Sequence, residues 1–279
     1  MIGLATSREF PDLVGGEQLL YQELRRRGEC RIVFWDDPQE SWRECDQIII
    51  RTTWDYFVRV IEFLQWIDKV EAAGIKLHNP PDIVRWNSDK LYMRDLSAKG
   101  VLIPETTWIA RGKLTRDVLR KHVNCPCVLK PTVSGGAYST FRVSPDNIDA
   151  VVEKLDGLAE EKGFMLQPFI PEIVSPGEYS LIFFREKFSH AVLKTPAEGD
   201  FRVQSKHGGV YTRAEVSPDI IEQARMILAA VPFDEELLYA RVDGVVRDGK
   251  FILMELELIE PYLFLEFGDT AAAVLASRV

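Results

Sequence analysis

Residues 239–258 read YARVDGVVRDGKFILMELEL. Asp248-Gly249 is a strong hairpin signal, because both residues tolerate the backbone that a two-residue turn demands, and it predicts strands over 239–246 and 250–258. Successive strand residues point to opposite faces. Glu255 and Glu257 therefore share one face of the second strand, and Arg241 and Asp243 share one face of the first. Carboxylates gathered on one face repel unless a counter-charge accompanies them. Two readings stand: a solvated acidic face, or a seat for hard cations such as Mg²⁺. The intervening residues are uniformly apolar, which favours the cation seat. The same stretch spells G-x-x-x-x-G-K over residues 244–250, the first part of a phosphate-binding loop. Phe251 stands where Ser or Thr is required, and the context is strand-turn-strand, so it is a hairpin.

Around this hairpin lies a chain of 279 residues with 34 Lys and Arg against 43 Asp and Glu, a formal charge of -9. Such acidity repels phosphate backbones, so no nucleic-acid partner is expected. At 46% hydrophobic and 28% charged, the composition is that of a globular protein. The uncharged apolar run over 226–233 is among the longest, far short of the roughly 20 residues a membrane span needs. No basic start precedes an apolar segment, so a cytoplasmic protein is expected. Cys30, Cys45, Cys125 and Cys127 read as free thiols. Cys125-Pro-Cys127 lacks the second pair or nearby His of a zinc site. G-x-G, H-E-x-x-H and G-x-S-x-G are all absent.

Upstream, a helix carrying Leu20 and Leu24 stops at Gly28, and strands are expected over 31–35 and 47–51. The run Ile48-Ile49-Ile50 indicates a strand buried on both faces. Phe57, Val60, Ile61, Leu64 and Ile67 predict a helix over 57–73. This alternation indicates an α/β layer with a parallel sheet, with a boundary near Trp86. A third helix is expected to start at residues 87–90, with Ser88 as its N-cap and Lys90 in its first turn. Strands over 106–109 and 127–130, a helix from Thr115, a strand through Phe141 and a helix through Ile148 follow. Strands over 164–169, 179–184 and 188–194 precede a helix opened by Ser217-Pro218.

Lys90, at the positive end of its expected helix, is either an exposed partner of Asp89 or Glu105 or part of an anion site. Lys130 ends an apolar strand before a loop with Ser134, Gly135, Gly136 and no acid. That loop is either a solvated turn or an anion-binding concavity. Arg241 and the glycine-flanked Arg202 suit transfer of a phosphoryl group, or structural ion pairs.

Together these residues resemble the ATP-grasp superfamily, over almost the whole chain and in the family's order. Asn87-Ser-Asp-Lys90 is similar to its first nucleotide-binding lysine segment, and Val128-Leu-Lys130-Pro131 with the Ser-Gly-Gly loop to its second lysine and phosphate loop. Met165-Leu-Gln167-Pro-Phe169-Ile170 looks like the adenine hinge, and Gly177-Glu178 like the ribose segment of D-alanine ligases. Arg241-Val-Asp243 resembles the family's arginine and first metal carboxylate. Glu255-Leu-Glu257 occupies its Glu-x-Asn motif, with Glu257 adding a negative charge. Gly199-Asp-Phe-Arg202 with Gly208-Gly209 resembles the branch of glutathione synthetase and ribosomal-protein glutamate ligase. Arg51-Thr-Thr-Trp-Asp-Tyr56, Pro11-Asp12-Leu13 and Glu257-Leu-Ile-Glu260-Pro261 resemble the D-cycloserine ligase group, which closes a ring on an activated serine-derived carboxylate.

The resemblance implies an α/β (α+β) ATP-grasp fold. Residues 1–86 form a Rossmann-like pre-ATP-grasp domain, 87–166 a central subdomain with the phosphate loop, and 167–279 a C-terminal subdomain with the metal site. It implies an ATP- and Mg²⁺- (or Mn²⁺-) dependent carboxylate–amine ligase acting on a small amino-acid-like substrate through an acyl phosphate, with ring closure an option. Lys90, Lys130, Ser134, Gly135 and Gly136 would hold phosphates, with Gln167, Phe169 and Ile170 at adenine and Glu178 at ribose. Asp243, Glu255 and Glu257 would hold metal, and Arg241 and Arg202 would stabilise the oxyanion and leaving phosphate. Loops at the carboxyl ends of parallel strands bind ligands, which assigns Asp12, Arg51, Thr53, Asp55 and Tyr56 to the substrate, with Gly208 and Gly209. A small-molecule kinase and a non-catalytic nucleotide-binding module are the alternatives. The oligomeric state stays open, a homo-oligomer included.

Overall fold

The computed structural model describes every residue except Asp156. Strands β1 (Ile2–Thr6), β2 (Cys30–Phe34), β3 (Gln47–Thr52) and β4 (Lys76–His78) form a parallel sheet in the order β2-β1-β3-β4. Helices α1 (Gly16–Arg27) and α2 (Val60–Ala72) cover its two faces. The isoleucine run shows why both faces are apolar. Ile49 packs with Leu20 and Leu24 of α1, while Ile48 and Ile50 pack with Phe63 and Ile67 of α2. Helix α2 starts three residues later than expected, because residues 56–58 form a 3-10 turn that sends Phe57 away from the helix.

Two short helices follow, α3 (Pro81–Asn87) and α4 (Tyr92–Ala98). The expected N-cap at Ser88 is not there. Pro81 at N1 nucleates a separate helix, and the Ser88 hydroxyl donates back to the Arg85 carbonyl at its end. Lys90 therefore lies between helices, not in a first turn. The central sheet contains β5 (Thr107–Ile109), β6 (Cys127–Pro131), β7 (Phe141–Val143) and β8 (Phe164–Pro168), ordered β5-β8-β6-β7 and antiparallel. Helices α5 (Arg116–His122), α6 (Ile148–Lys154) and α7 (Leu158–Glu161) accompany it. Thr115 caps α5 by accepting from the Val118 amide.

The last sheet contains β9 (Glu178–Phe184), β10 (Lys187–Thr195), β11 (Val210–Ala214), β12 (Tyr239–Arg247) and β13 (Lys250–Glu257), ordered β11-β10-β9-β12-β13. Helices α3, α4 and α8 (Pro218–Ala229) bury one of its faces. Neither β11, an edge strand whose residues are half-exposed or exposed, nor α9 (Ala271–Ala276), which packs near α1, was expected from the sequence.

Parallel and C-terminal sheets are sewn together by buried polar groups. The Asn79 carboxamide donates to the Tyr239 and Leu258 carbonyls and accepts from the Leu238 amide. Arg51, fully buried, forms a bidentate pair with Glu17 at 2.6 and 2.7 Å and donates to the Pro261 carbonyl. Truncating one member of a buried pair strands the other charge, at a cost of about 3–5 kcal/mol. Arg51→Ala is expected to lower stability by that amount in urea unfolding. A loss below about 1 kcal/mol would show that the pair is not a fold constraint.

Candidate active site

The hairpin register aligns Arg241 with Glu257 and Asp243 with Glu255. Strand β9 adds Ser180 beside Asp243, and β10 places Lys194 opposite Glu178. Alternation on four strands thus carries one charged grid onto the sheet face away from the helices. Lys194 reaches Glu178 at 2.6 Å and Asp243 at 3.0 Å. Arg241 donates to both Asp243 oxygens, to Glu257 and to the Tyr262 carbonyl, and the Ser180 hydroxyl donates to Asp243 at 2.6 Å. The grid floors a cleft of about 940 Å³.

Electrostatics divides these acids. Burial opposes ionisation of Asp243, but Arg241 and Lys194 outweigh it and hold the carboxyl down at about 2. Burial likewise opposes Glu255, and Lys90 at 3.0 Å with nearby Lys130 brings its pKa below the ordinary value. Burial dominates at Glu257, where Arg241 offsets it in part and the carboxyl rises to about 7. Glu260 is raised well above the carboxylate range by burial and by Glu257.

Across the cleft, Lys90 donates to the Ser134 carbonyl. Lys130 lines the cleft half-buried, with no hydrogen bond or ion pair from its ammonium among the described residues. Burial and neighbouring Lys90 lower its pKa, against Glu255 and Glu178. Loop 133–138 closes against the N-terminal layer. A Cβ on Gly135 would stand 2.8 Å from a Phe57 ring carbon, and Lys162 donates to the Phe57 and Val133 carbonyls at 3.0 and 2.9 Å. Gly136, at φ +54, faces the Lys206 ammonium.

The cleft thus gathers Lys90, Lys130, Ser134, Gly135, Gly136, Gln167, Ile170, Glu178, Arg202, Arg241, Asp243, Glu255, Glu257 and Tyr56 from the sequence expectations. Phe169 is displaced from it. Its amide donates to the Pro126 carbonyl and its ring packs on Arg142 and Phe201, so Pro168 and Ile170 form the wall instead. Asp12, Arg51, Thr53 and Asp55 also lie outside the wall. Arg51 is consumed by Glu17, Thr53 is fully buried, and Asp55 accepts from Trp35 and Arg59. Gly208 and Gly209 shape their own loop: Gly208 has φ +84, and Gly209 presses against the Val203 carbonyl. Arg202 faces the cleft paired with Asp200 at 2.7 Å. Lys194, Lys206, Glu260 and Tyr262 line the cleft without having been anticipated. Lys194 sits in phase with Val192 on its strand and was legible as an inward polar residue; Glu260 lay in the Glu257–Pro261 phrase without a role of its own, and Lys206 and Tyr262 had no local signal.

The three hairpin acids offer hard oxygen donors on one cleft-facing side, the donor type that Mg²⁺ takes. Ion pairs to Lys90 and Arg241 hold them, and among the described residues no three His, Cys, Asp or Glu gather at one point. Mg²⁺ binds through one or two carboxylates completed by water and substrate phosphates, so the donors fit it without a preformed cage.

Fold and site together define an ATP-grasp ligase, and the chain belongs to that family. Residues 89–261 match the family described as prokaryotic glutathione synthetase, ATP-grasp domain. Residues 2–79 match the D-cycloserine synthetase DcsG N-terminal domain. The cycloserine biosynthesis protein DcsG of Streptomyces lavendulae is 30% identical over 262 residues, 88% of this chain and 86% of that protein. Glutathione synthetase of Rhodopseudomonas palustris is 27% identical over 177 residues, 63% of this chain and 54% of its own. The crystal structure of D-cycloserine synthetase DcsG superposes with a TM-score of 0.85 at 27% identity, over 99% of this chain and 97% of that one. D-alanine–D-alanine ligase from Bacillus anthracis, in complex with ATP, shares the fold with a TM-score of 0.70 at 16% identity, over 100% and 95%. Family and fold are those the motif order implied. ATP-grasp enzymes use ATP with divalent metal ions, and this chain is an ATP-dependent ligase that forms amide bonds.

Two outcomes test the geometry. Gly135→Ala overpacks the loop against Phe57, and overpacking costs roughly 1–3 kcal/mol. ATP affinity should fall about tenfold in calorimetric titration and recover in the Gly135→Ala, Phe57→Ala double variant. No recovery would contradict the contact. Glu257, raised from 4.5 to about 7, contributes stability that is complete below pH 4.5 and lost as pH rises through 7. Glu257→Gln should flatten the pH dependence of unfolding in that window; an unchanged slope would place the titration elsewhere.

Proposed function

We propose that the lysine side of the cleft binds the ATP phosphates, that the hairpin acids carry the metal, and that a small amino-acid substrate lies between Arg241 and residues 54–57. Residues 1–86 supply the substrate-side wall, 87–166 the phosphate loop, and 167–279 the charged sheet. What carries this reading is Lys130: a cleft-facing ammonium without a partner among the described residues, beside Lys90 and under a glycine loop. Two cations facing a concavity of backbone amides suit a polyphosphate. Lys90 would exchange Glu255 for phosphate, freeing that carboxylate for Mg²⁺, which when bound draws charge from the transferred phosphoryl group.

In the first step the substrate carboxylate attacks the γ-phosphorus of ATP, the bond to the β–γ bridging oxygen breaks, and ADP leaves. In the second step a nitrogen of the substrate, or of a second substrate, attacks the acyl carbon. The C–O bond to phosphate breaks, and the nitrogen loses a proton as the amide forms. Arg241, fixed by Asp243 and the Tyr262 carbonyl, stands ready for the tetrahedral oxyanion. Arg202, tethered by Asp200, meets the departing phosphate. Tyr56 and Trp54 screen the acyl phosphate from water.

Hydroxylamine trapping tests this. With ATP, Mg²⁺ and a panel of D- and L-amino acids and O-substituted serines, at least one carboxylate should yield a hydroxamate in step with phosphate release. Lys130→Met should lower kcat/KM for ATP by roughly ten- to hundredfold, the worth of charge-assisted hydrogen bonds. A phosphorylated hydroxyl without hydroxamate would make the chain a kinase, and ATP binding without phosphate release a non-catalytic module.

A further inference from the structure

Four interior acids of the cleft are spoken for: Glu178 and Asp243 by Lys194, Glu255 by Lys90, and Glu257 by Arg241. Glu266 accepts the Tyr262 hydroxyl at 2.6 Å, and Glu9 is exposed to solvent. Glu260 differs. It lines the cleft half-buried, and no other described residue gives its carboxyl a hydrogen bond or ion pair; only its own backbone amide reaches it.

The surroundings of Glu260 are aromatic. The Trp54 indole donates to the Glu260 carbonyl at 2.9 Å, which pins the loop after β3 beside it. Trp54 meets Phe10 at 4.9 Å and Tyr262 at 6.0 Å between ring centroids, and Tyr56 lines the same wall. An unpaired carboxylate beside apolar rings is costly alone and is relieved by a cation, which the ring faces also attract. Arg241 holds the Tyr262 carbonyl at 3.0 Å, two residues from Glu260. The Arg241 guanidinium and the unpartnered Glu260 carboxyl thus line the same cleft, groups whose charge types complement a zwitterion.

We propose that Glu260 anchors the α-ammonium of the substrate while Arg241 faces its carboxylate, so that the cleft selects α-amino acids over plain carboxylic acids. This assignment rests on the ligase reading for the role of Arg241. Glu260 is a specificity residue: it fixes which end of the substrate meets the phosphoryl donor and takes no part in bond making.

Binding without turnover separates the two readings. Calorimetry in the presence of Mg²⁺ and a non-hydrolysable ATP analogue would compare D- and L-alanine with propionate, and D- and L-serine with 3-hydroxypropionate. The wild-type chain should bind one amino acid at least about tenfold more tightly than its amine-free counterpart, the worth of a charge-assisted contact. Glu260→Gln, isosteric and checked for an unchanged Tm, should lose that preference and keep its affinity for the nucleotide. Equal affinities in the wild type, or a preference that survives in Glu260→Gln, would overturn the anchor. Weaker Mn²⁺ binding in Glu260→Gln with the amino-acid preference intact would overturn it in favour of a metal role. A preference lost in Glu260→Gln, in a chain that forms no hydroxamate, would uphold the anchor and remove the ligase reading alone.

Discussion

Asp243 is the constraint around which the site is built. Its carboxylate is 1% exposed and accepts hydrogen bonds from Arg241, Lys194 and Ser180. A buried charge survives only when its lone pairs are met by charged or polar donors, so the three strands supplying those donors must lie in one order. The order β10-β9-β12-β13 does this: Lys194 comes from one neighbouring hairpin, Ser180 from the strand between, and Arg241 from two residues along the same strand. A different pairing of β9 or a slip of one residue would turn the donors to the opposite face and leave the acid alone. Fold and charge arrangement are therefore one specification.

The same economy of placement joins the N-terminal layer to the cleft. Arg51 and Asn79 never reach the substrate space, yet they lock the parallel sheet to the segments that do. Alternate residues of the loop after β3 divide the work. Thr53 and Asp55 turn to the N-terminal layer, Trp54 lines the cleft, and Tyr56 lines the cleft while packing on Phe63 of that layer. Phe57 then carries the contact onward to loop 133–138, whose Gly135 admits no side chain there. One short loop thus touches both the cleft and loop 133–138.

Most of the fold was legible because its signals are local. Ile48-Ile49-Ile50 announced a doubly buried strand, Asp248-Gly249 a hairpin, and Ser217-Pro218 a helix start, and each stands where expected. The error at Ser88 came from a cap-like residue that in fact closes the preceding helix, a distinction set by Pro81 seven residues earlier. That the lysines, the glycine loop and the hairpin acids meet in one cleft was legible through strand alternation and motif order. Phe169, Arg51, Thr53 and Asp55 lie outside the cleft wall while Ile170 and Tyr56 of the same segments line it, because a motif reports which segment nears a site, not which of its residues faces it. Glu260, quoted only within a family phrase, and Tyr262 received no role because they follow the last strand in an irregular segment, where no periodicity assigns a face.

In the proposed mechanism the substrate carboxylate is phosphorylated before the carbon–nitrogen bond forms. Phosphorus-31 NMR of the phosphate released from an ¹⁸O-labelled carboxylate substrate tests it most directly. The mechanism predicts that each phosphate carries one oxygen from that carboxylate, seen as an isotope-shifted resonance. Unlabelled phosphate, released in step with amide formation, would contradict it.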